Sequence, residues 1–385
     1  MTQVIFTERC DYMKVIAAID SFKGSMTSME AGNAVKKGIL AAKPDAEVVV
    51  NLLADGGEGT VDALIEGLGA KKIPVTVTGP LGEKVSCYYG FLEETKSAVM
   101  EMASAAGITL VTKKDPLRAS TYGVGEMIAD ALKRGCKNFM IGIGGSATND
   151  GGIGMLKALG FEFFDEDGND VGEGAAALAK IEVIRTENKN PLLSGAKFQI
   201  ACDVKNPLCG KQGATYIFGP QKGVTEEQKE QVDEAMRHYA DVTKESLDCD
   251  FADCEGAGAA GGLGYAFLSY LAGELIPGVE LILQATGLEE KMKNADVVVT
   301  GEGRLDAQTV MGKAPVGVAA LAKKYNAKVI AFAGSVAPEA KVCNRAGIDA
   351  FFPIVRGVAT LEEAMKKENA MENIAATAEQ VFRLL

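Results

Sequence analysis

A chain of 385 residues is long enough for two domains, or one large one, with a full core. Its 47% hydrophobic and 24% charged residues describe a globular protein and speak against disorder. Forty basic against 52 acidic residues give a net charge of −12 with no long basic run, which argues against nucleic acid or an anionic membrane as partner.

Residues 1–12 fit no element and read as a start-site extension or tag remnant; with Glu8, Arg9 and Asp11 and no apolar run they do not resemble a signal peptide. The fold is expected to begin at Met13, where MKVIAAID reads as a buried strand. Thr27-x-x-Glu30 is a capping box, and the helix it starts runs over about 28–42, ending before Pro44. EVVVNLL (47–53) is a second strand and TVDALIEGLG a helix, an alternation that signals a parallel sheet with helical crossovers. From about residue 73 the texture changes. VTVTGPLGEKVSCYYGFL reads as two antiparallel strands around Gly79-Pro80 and Gly82, followed by SAVMEMA, a helix near 122–134 and the strand NFMIGIGG. FQIACDV (198–204) and ATYIFG (214–219) read as short strands, and a charged helix is predicted from Thr225 to about Lys244. The uncharged run Gly256–Gly273 approaches membrane-spanning length, but six of its 18 residues are glycine and Glu274 follows, so it reads as a buried helix. At ADVVVTGEG (295–303) regular alternation resumes: strand, glycine turn, helix 314–324, strand AKVIAFAG, helix, strand DAFFPIV, and a last helix after the Thr360-x-x-Glu363 capping box. The expected class is α/β: a parallel doubly wound, Rossmann-like domain of residues 13–72 plus 290–385, carrying a large inserted mixed α/β domain over 73–289. The cleft between two such domains is the default ligand site.

Two absences narrow the chemistry. His238 is the single histidine, in the charged stretch TEEQKEQVDEAMRHYADVTKE where an exposed structural role is expected; Ser-His-Asp, Cys-His and histidine-metal chemistries are set aside, and any general base is a carboxylate or a lysine. Eight scattered cysteines form no C-x-x-C pair, which fits free thiols in the cytoplasm and argues against a zinc site.

Three glycine-rich turns carry acidic, hydroxyl or amide side chains after strand-like runs: ADGGEGT (54–60), GIGGSATNDGG (142–152) and GEGRLDAQTVMGK (301–313). Glycines let backbone N–H groups approach an anion, and carboxylates beside them point to a phosphate held with a metal or to a hydroxyl about to lose a proton. Asp55 and Glu58, with Gly56 and Gly57, stand at the carboxyl end of a strand; Ser146, Thr148, Asn149 and Asp150 lie in the second glycine bed. The third is the densest, with Gly301, Glu302, Arg304, Asp306, Gln308, Thr309 and Lys313 within 13 residues, and Arg304 can take a carboxylate by two points. In SFKGS (21–25), Lys23 between Ser21 and Ser25 at a tight turn is either an anion ligand or an exposed lysine. In ACDVKNPLCGKQGA (201–214), Asp203 ends an apolar strand ahead of Asn206-Pro207, as a general base, a magnesium ligand or a turn cap. Asp203, Lys23, Asp55 and Asp306 are the candidate catalytic residues, the other polar and glycine positions above are candidate binding residues, and Asp203 and Glu302 are candidate Mg2+ ligands. No G-x-x-x-x-G-K-[ST] loop occurs, since Ala307 stands where its first glycine belongs and Ala314 follows Lys313. Gly256, Gly258 and Gly261 satisfy G-x-G-x-x-G without a preceding buried strand, and read as a close-packed helix start.

DSFKGS, ADGGEGT, GGSATNDGG, CDVKNPLCGKQGA, EGAGAAGGLG and GEGRLDAQTVMGK, in that order, resemble the bacterial type-I glycerate kinase family from about Met13 to the C-terminus, leaving residues 1–12 outside. The resemblance implies phosphorylation of glycerate by ATP with Mg2+, usually giving 2-phosphoglycerate, on a two-domain α/β fold with an inserted domain. The expectation is a cytoplasmic enzyme, a monomer or homodimer, with a small-molecule substrate and neither nucleic acid nor membrane as partner. Two rival readings remain at this point: a hydroxy-acid dehydrogenase using the glycines at 256–261, and a non-catalytic anion-binding protein using the same turns.

Overall fold

The computed structural model describes residues 12–53 and 60–385, which fall into two compact units: 12–53 with Ile282–Leu385, and 60–281. In the first unit β1 (Lys14–Ile19) and β2 (Glu47–Leu52) flank the helix Ser28–Ala42. Thr27 caps that helix: its hydroxyl accepts from Glu30 N at 3.3 Å, and Glu30 Oε2 accepts from Thr27 N at 3.0 Å.

The second unit supplies the next eight strands. β3 (Lys71–Thr78), β4 (Lys84–Leu92) and β5 (Ser97–Glu101) run antiparallel in turn, then β6 (Asn138–Gly142) pairs parallel to β5. β7 (Glu162–Phe164) and β8 (Val183–Arg185) form a separate ribbon, while β9 (Lys197–Ala201) and β10 (Glu274–Ile276) complete the main sheet in the order β10-β9-β6-β5-β4-β3. Its core joins the sheet to the helices Tyr122–Lys133, Lys229–Leu247 and Leu263–Leu271, with Phe139 stacked on Phe198 at 4.8 Å between ring centres.

The chain then returns to the first unit as β11 (Val297–Leu305), β12 (Lys328–Val336) and β13 (Ala350–Pro353). All five strands are parallel, in the order β13-β12-β11-β1-β2. From β1 the chain winds outward to β2, and from β11 outward the other way to β12 and β13. The neighbours β1 and β11 therefore mark the switch point of a doubly wound sheet, where ligands bind beyond the carboxyl ends of the strands. The α/β class expected from the alternation is what folds.

Several elements differ from the sequence expectation. ATYIFG is not a strand: Ala214–Lys222 is helical, because its buried positions Ala214, Thr215, Gly219 and Lys222 recur at helical spacing while Ile217 faces out. Gly301–Arg304 is not a turn: β11 continues through it in register with β12, Gly301 opposite Phe332 and Arg304 opposite Ser335. A Cβ at Gly301 would stand 2.1 Å from the Phe332 carbonyl oxygen, so this glycine serves strand packing. The run Gly256–Gly273 is helical only from Leu263 to Leu271, after a short 3-10 turn at Ala259–Gly261. The charged helix begins at Lys229. The last helix is two, Leu361–Met365 and Lys367–Phe382, the first opened by the Thr360–Glu363 box as expected.

No helix among the described residues is long and apolar enough to cross a membrane, and the seven cysteines described are unpaired.

Candidate active site

Each unit has a pocket at the carboxyl ends of its parallel strands. In the first unit the pocket has a volume of about 730 Å3 and lies at the β1/β11 switch point. One wall is polar. The segment after β1 supplies Asp20, Ser21, Lys23 and Ser25; the end of β11 and the turn beyond it supply Glu302, Arg304, Asp306 and Lys313. The opposite wall is apolar, with Ile354, Leu361, Ala364 and Met365.

The turn that presents Lys23 is fixed by its backbone: Ser25 N donates to Phe22 O at 2.7 Å, Phe22 N donates to Met26 O at 2.9 Å, and Gly24 takes a positive φ of 77°. Ser25 Oγ is buried and has no hydrogen-bond partner. Asp20 is buried at the strand end, with one carboxylate oxygen accepting from Ser21 N at 2.7 Å. Across the switch point, Glu302 is buried and both its oxygens are engaged, Oε1 by the buried Thr309 hydroxyl at 2.7 Å and Oε2 by Lys313 Nζ at 3.1 Å. Burial pushes its carboxyl above the ordinary range, against the opposing pull of Thr309 and Lys313. Asp306 accepts from Gln308 N at 2.9 Å and lies 3.5 Å from Arg304 Nε, whose side chain is 65% exposed. Arg304 is thus the more exposed cation of the rim, and Lys313 the one hydrogen-bonded to a buried carboxylate.

In the second unit a pocket of about 310 Å3 opens where β6 and β9 end side by side, Gly142 in register with Ala201. The segments leaving these strands, Ile143–Ser146 and Cys202–Val204, form its lip, and the helix Ala214–Lys222 with Ala259 and Ala260 forms its wall. Asp203 is exposed there, and one of its oxygens accepts from Gly278 N at 2.9 Å. Ser146 is buried in the same lip.

The neighbours of Ser146 have structural duties. Asp150 is wholly buried and accepts from Thr121 N and Oγ1, both at 2.8 Å, and from Gly152 N at 3.2 Å. Burial raises its carboxyl despite those bonds. Asn149 donates to Thr215 Oγ1 at 3.0 Å, but its Oδ1 and the Thr148 hydroxyl are buried without partners. Asn206 ties its own loop, donating to Gln212 O at 2.8 Å. Gly258 and Gly261 explain the glycine run at 256–261: a Cβ on either would stand 2.2 Å from a backbone oxygen, Pro207 and Thr148 respectively. They pack site loops together and, with no strand ahead of them, do not form a dinucleotide turn.

The structure therefore gathers Ser21, Lys23, Ser25, Glu302, Arg304, Asp306 and Lys313 around one pocket, with Thr309 behind Glu302, and Ser146 and Asp203 around the other. Asp55, Gly56, Gly57 and Glu58 lie outside the described residues. Sequence reasoning passed over Lys222, a fully buried lysine that lines the second pocket and donates to Thr148 O at 2.7 Å. Reading ATYIFG as a strand hid it; the signal available was a lone lysine at helical spacing from Ala214, Thr215 and Gly219.

Residues 15–385 match the glycerate kinase family. The chain is 44% identical over 371 residues to a glycerate kinase of Bacillus subtilis, covering 96% of this chain and 97% of the other. It is 45% identical over 372 residues to a glycerate 2-kinase of Escherichia coli K12, covering 95% and 98%. A crystal structure of a Salmonella typhimurium LT2 protein assigned as glycerate kinase 2 superposes with a TM-score of 0.87 at 43% identity, covering 97% of this chain and 98% of that one. On the match of the whole folded chain, this protein belongs to the glycerate kinase family and is an enzyme of the kinase class.

Proposed function

We propose that this enzyme transfers the terminal phosphoryl group of ATP, carried with Mg2+, to a hydroxyl of glycerate, with the nucleotide in the pocket of the first unit and glycerate in that of the second. The observation that carries the assignment is the contrast between the pockets. The larger, of about 730 Å3, sets an apolar wall against the cations Lys23, Arg304 and Lys313, which suits a base at one end and phosphates at the other. The smaller, of about 310 Å3, suits a three-carbon acid and presents a carboxylate at its mouth. In sequence terms Arg304 and Lys23 are candidates for the substrate carboxylate; their place on the larger pocket moves them to the phosphate side. Similarity to a glycerate 2-kinase supports the 2-hydroxyl as acceptor and 2-phosphoglycerate as product.

In this reading the hydroxyl oxygen bonds to the terminal phosphorus, the bond from that phosphorus to the bridging oxygen of ADP breaks, and Asp203 receives the hydroxyl proton. Asp203 suits the task because, among the described residues, only one of its oxygens is engaged, by Gly278 N. Lys313 and Arg304 offset the charge gathering on the transferred group. The residues also fit magnesium. Mg2+ on a nucleotide needs only one or two protein carboxylates beside phosphate oxygens and water, so the lack of a three-carboxylate cluster among the described residues is compatible with it. Because the free oxygen of Asp203 takes the proton in this reading, Glu302, which lines the nucleotide pocket, is the carboxylate that would hold the ion, once Lys313 turned to the phosphates. Held there, Mg2+ would neutralise part of the charge on the phosphates.

Two measurements test this. Purified enzyme with Mg·ATP and D-glycerate should release ADP and form 2-phosphoglycerate, identifiable by phosphorus NMR, and EDTA should stop it. Hydrogen exchange should then show ATP alone protecting 302–313 and glycerate alone protecting 143–146 and 202–204. No turnover with either enantiomer of glycerate overturns the activity; the reverse pattern of protection overturns the assignment of pockets.

A further inference from the structure

Lys222 is the one group of the second pocket whose placement the packing of the fold does not explain. The residue is buried to 2% exposure, yet it lines the cavity. Of its three N–H donors one goes to Thr148 O at 2.7 Å, and no carboxylate lies within ion-pair distance among the described residues. An unpaired buried cation is expensive, and a hydrocarbon side chain of the same length would fill the wall at less cost. Burial pulls its ammonium down to about 7, against the opposing effect of Asp150. The other titratable groups around it are Asp203 and Cys202, which share the pocket, and Tyr239 of the helix Lys229–Leu247, which couples to Asp150. Behind the lip, Thr148 Oγ1 and Asn149 Oδ1 are likewise buried and unpartnered, so this end of the pocket holds polar capacity that the protein alone leaves unfilled.

We infer that Lys222 is the anchor for the carboxylate of the acid substrate: an anion entering the smaller pocket completes an ion pair on the buried ammonium and directs a substrate hydroxyl toward Asp203. This rests on the reading that glycerate occupies the second unit's pocket. The anion supplies the missing partner, and its charge draws the proton back onto Lys222. Specificity follows, because a neutral analogue such as glycerol would leave the buried cation unpaired.

The test is Lys222→Met, which keeps the length and removes the charge, with Lys222→Gln as a second variant should the first not fold. Steady-state kinetics, calorimetric binding of glycerate and of ATP, and the pH profile of kcat/KM for glycerate are measured on wild type and variant. The expected result is a loss of glycerate affinity of about 10- to 100-fold, the span for a charge-assisted bond, with ATP affinity unchanged. In wild type, kcat/KM for glycerate should fall as pH rises through the neutral range, where the free enzyme's ammonium loses its proton, and that descending limb should be absent from the variant. Unchanged glycerate affinity with lost turnover, or a profile that rises with pH in wild type, would make Lys222 a proton acceptor and overturn the inference while leaving the pocket assignment standing. Weakened ATP binding with intact glycerate binding would overturn the inference and the pocket assignment together.

Discussion

His238 Nε2–H donates to the Ile181 carbonyl at 2.7 Å and stands 3.9 Å from Glu182, half-buried on the helix Lys229–Leu247. Its role is to tie that helix to the segment before β8, away from both pockets, so the structural role expected of it holds although it is less exposed than expected. His238→Gln should leave turnover within about threefold, whereas Asp203→Asn should lower kcat by about 10²–10⁴, the span for loss of general-base catalysis. Steady-state assays check both; near-normal turnover of the aspartate variant would move the proton to another group. At the rim of the larger pocket, Arg304→Lys keeps the charge but loses the planar fork, and should raise the KM for ATP by about tenfold or more with little change for glycerate. Lys222 also leaves a mark on stability. Its folded value, about 7, lies below the ordinary lysine value of 10.5, so between these the unfolded chain binds the extra proton. Raising the pH across that window removes the cost of burying the charge, and below it the cost is constant. Lys222→Met should therefore be more resistant to urea than wild type at pH 7, and the gap should close as pH approaches 10. A gap independent of pH would show that the lysine is not titrating there.

Among the elements, the contrast between the helices Ser28–Ala42 and Ala214–Lys222 is instructive. The first begins at a capping box and carries its apolar residues on one face, so its local chemistry and its tertiary setting agree and its ends were legible to the residue. The second is rich in β-formers, but Thr215 is held by Asn149 and Lys222 by Thr148, contacts to residues some 66 and 74 positions away that no local signal encodes. In β11 the glycines of GEGR suggested a turn; Gly301 is instead required by the close approach of β12, while a Cβ at Gly303 would meet nothing nearer than 3.9 Å. Packing of this kind is testable on the helix pair Ser28–Ala42 and Lys367–Phe382, where a Cβ at Gly38 would stand 2.0 Å from the Ala375 carbonyl oxygen. Gly38→Ala should destabilise the protein by about 1–3 kcal/mol, as overpacking does, despite alanine's better helix propensity. A variant as stable as wild type in urea would show that the two helices can separate without cost.

For the molecule as a whole, each unit has its own core, one from Val15 to Phe382 and one from Ile73 to Leu271. If the two ligands occupy the two pockets as proposed, glycerate and nucleotide together should lower the radius of gyration in solution scattering more than either alone. Identical scattering with and without both ligands would argue for a rigid arrangement. The sequence by itself determined the α/β class, the capped helices, the parallel strands at both ends of the chain and, through six ordered motifs, the family. These are readable because periodicity, caps and glycine turns are local, and because the motifs sit at strand ends where a doubly wound sheet collects its ligands. Only the tertiary structure decided that Glu302 is already held by Thr309 and Lys313, that Asp150 is a buried brace, and that Lys222 reaches a pocket. Those facts depend on burial and on partners brought from other strands, and desolvation, the dominant influence on each of these three charges, is a property of the assembled interior that no stretch of sequence carries.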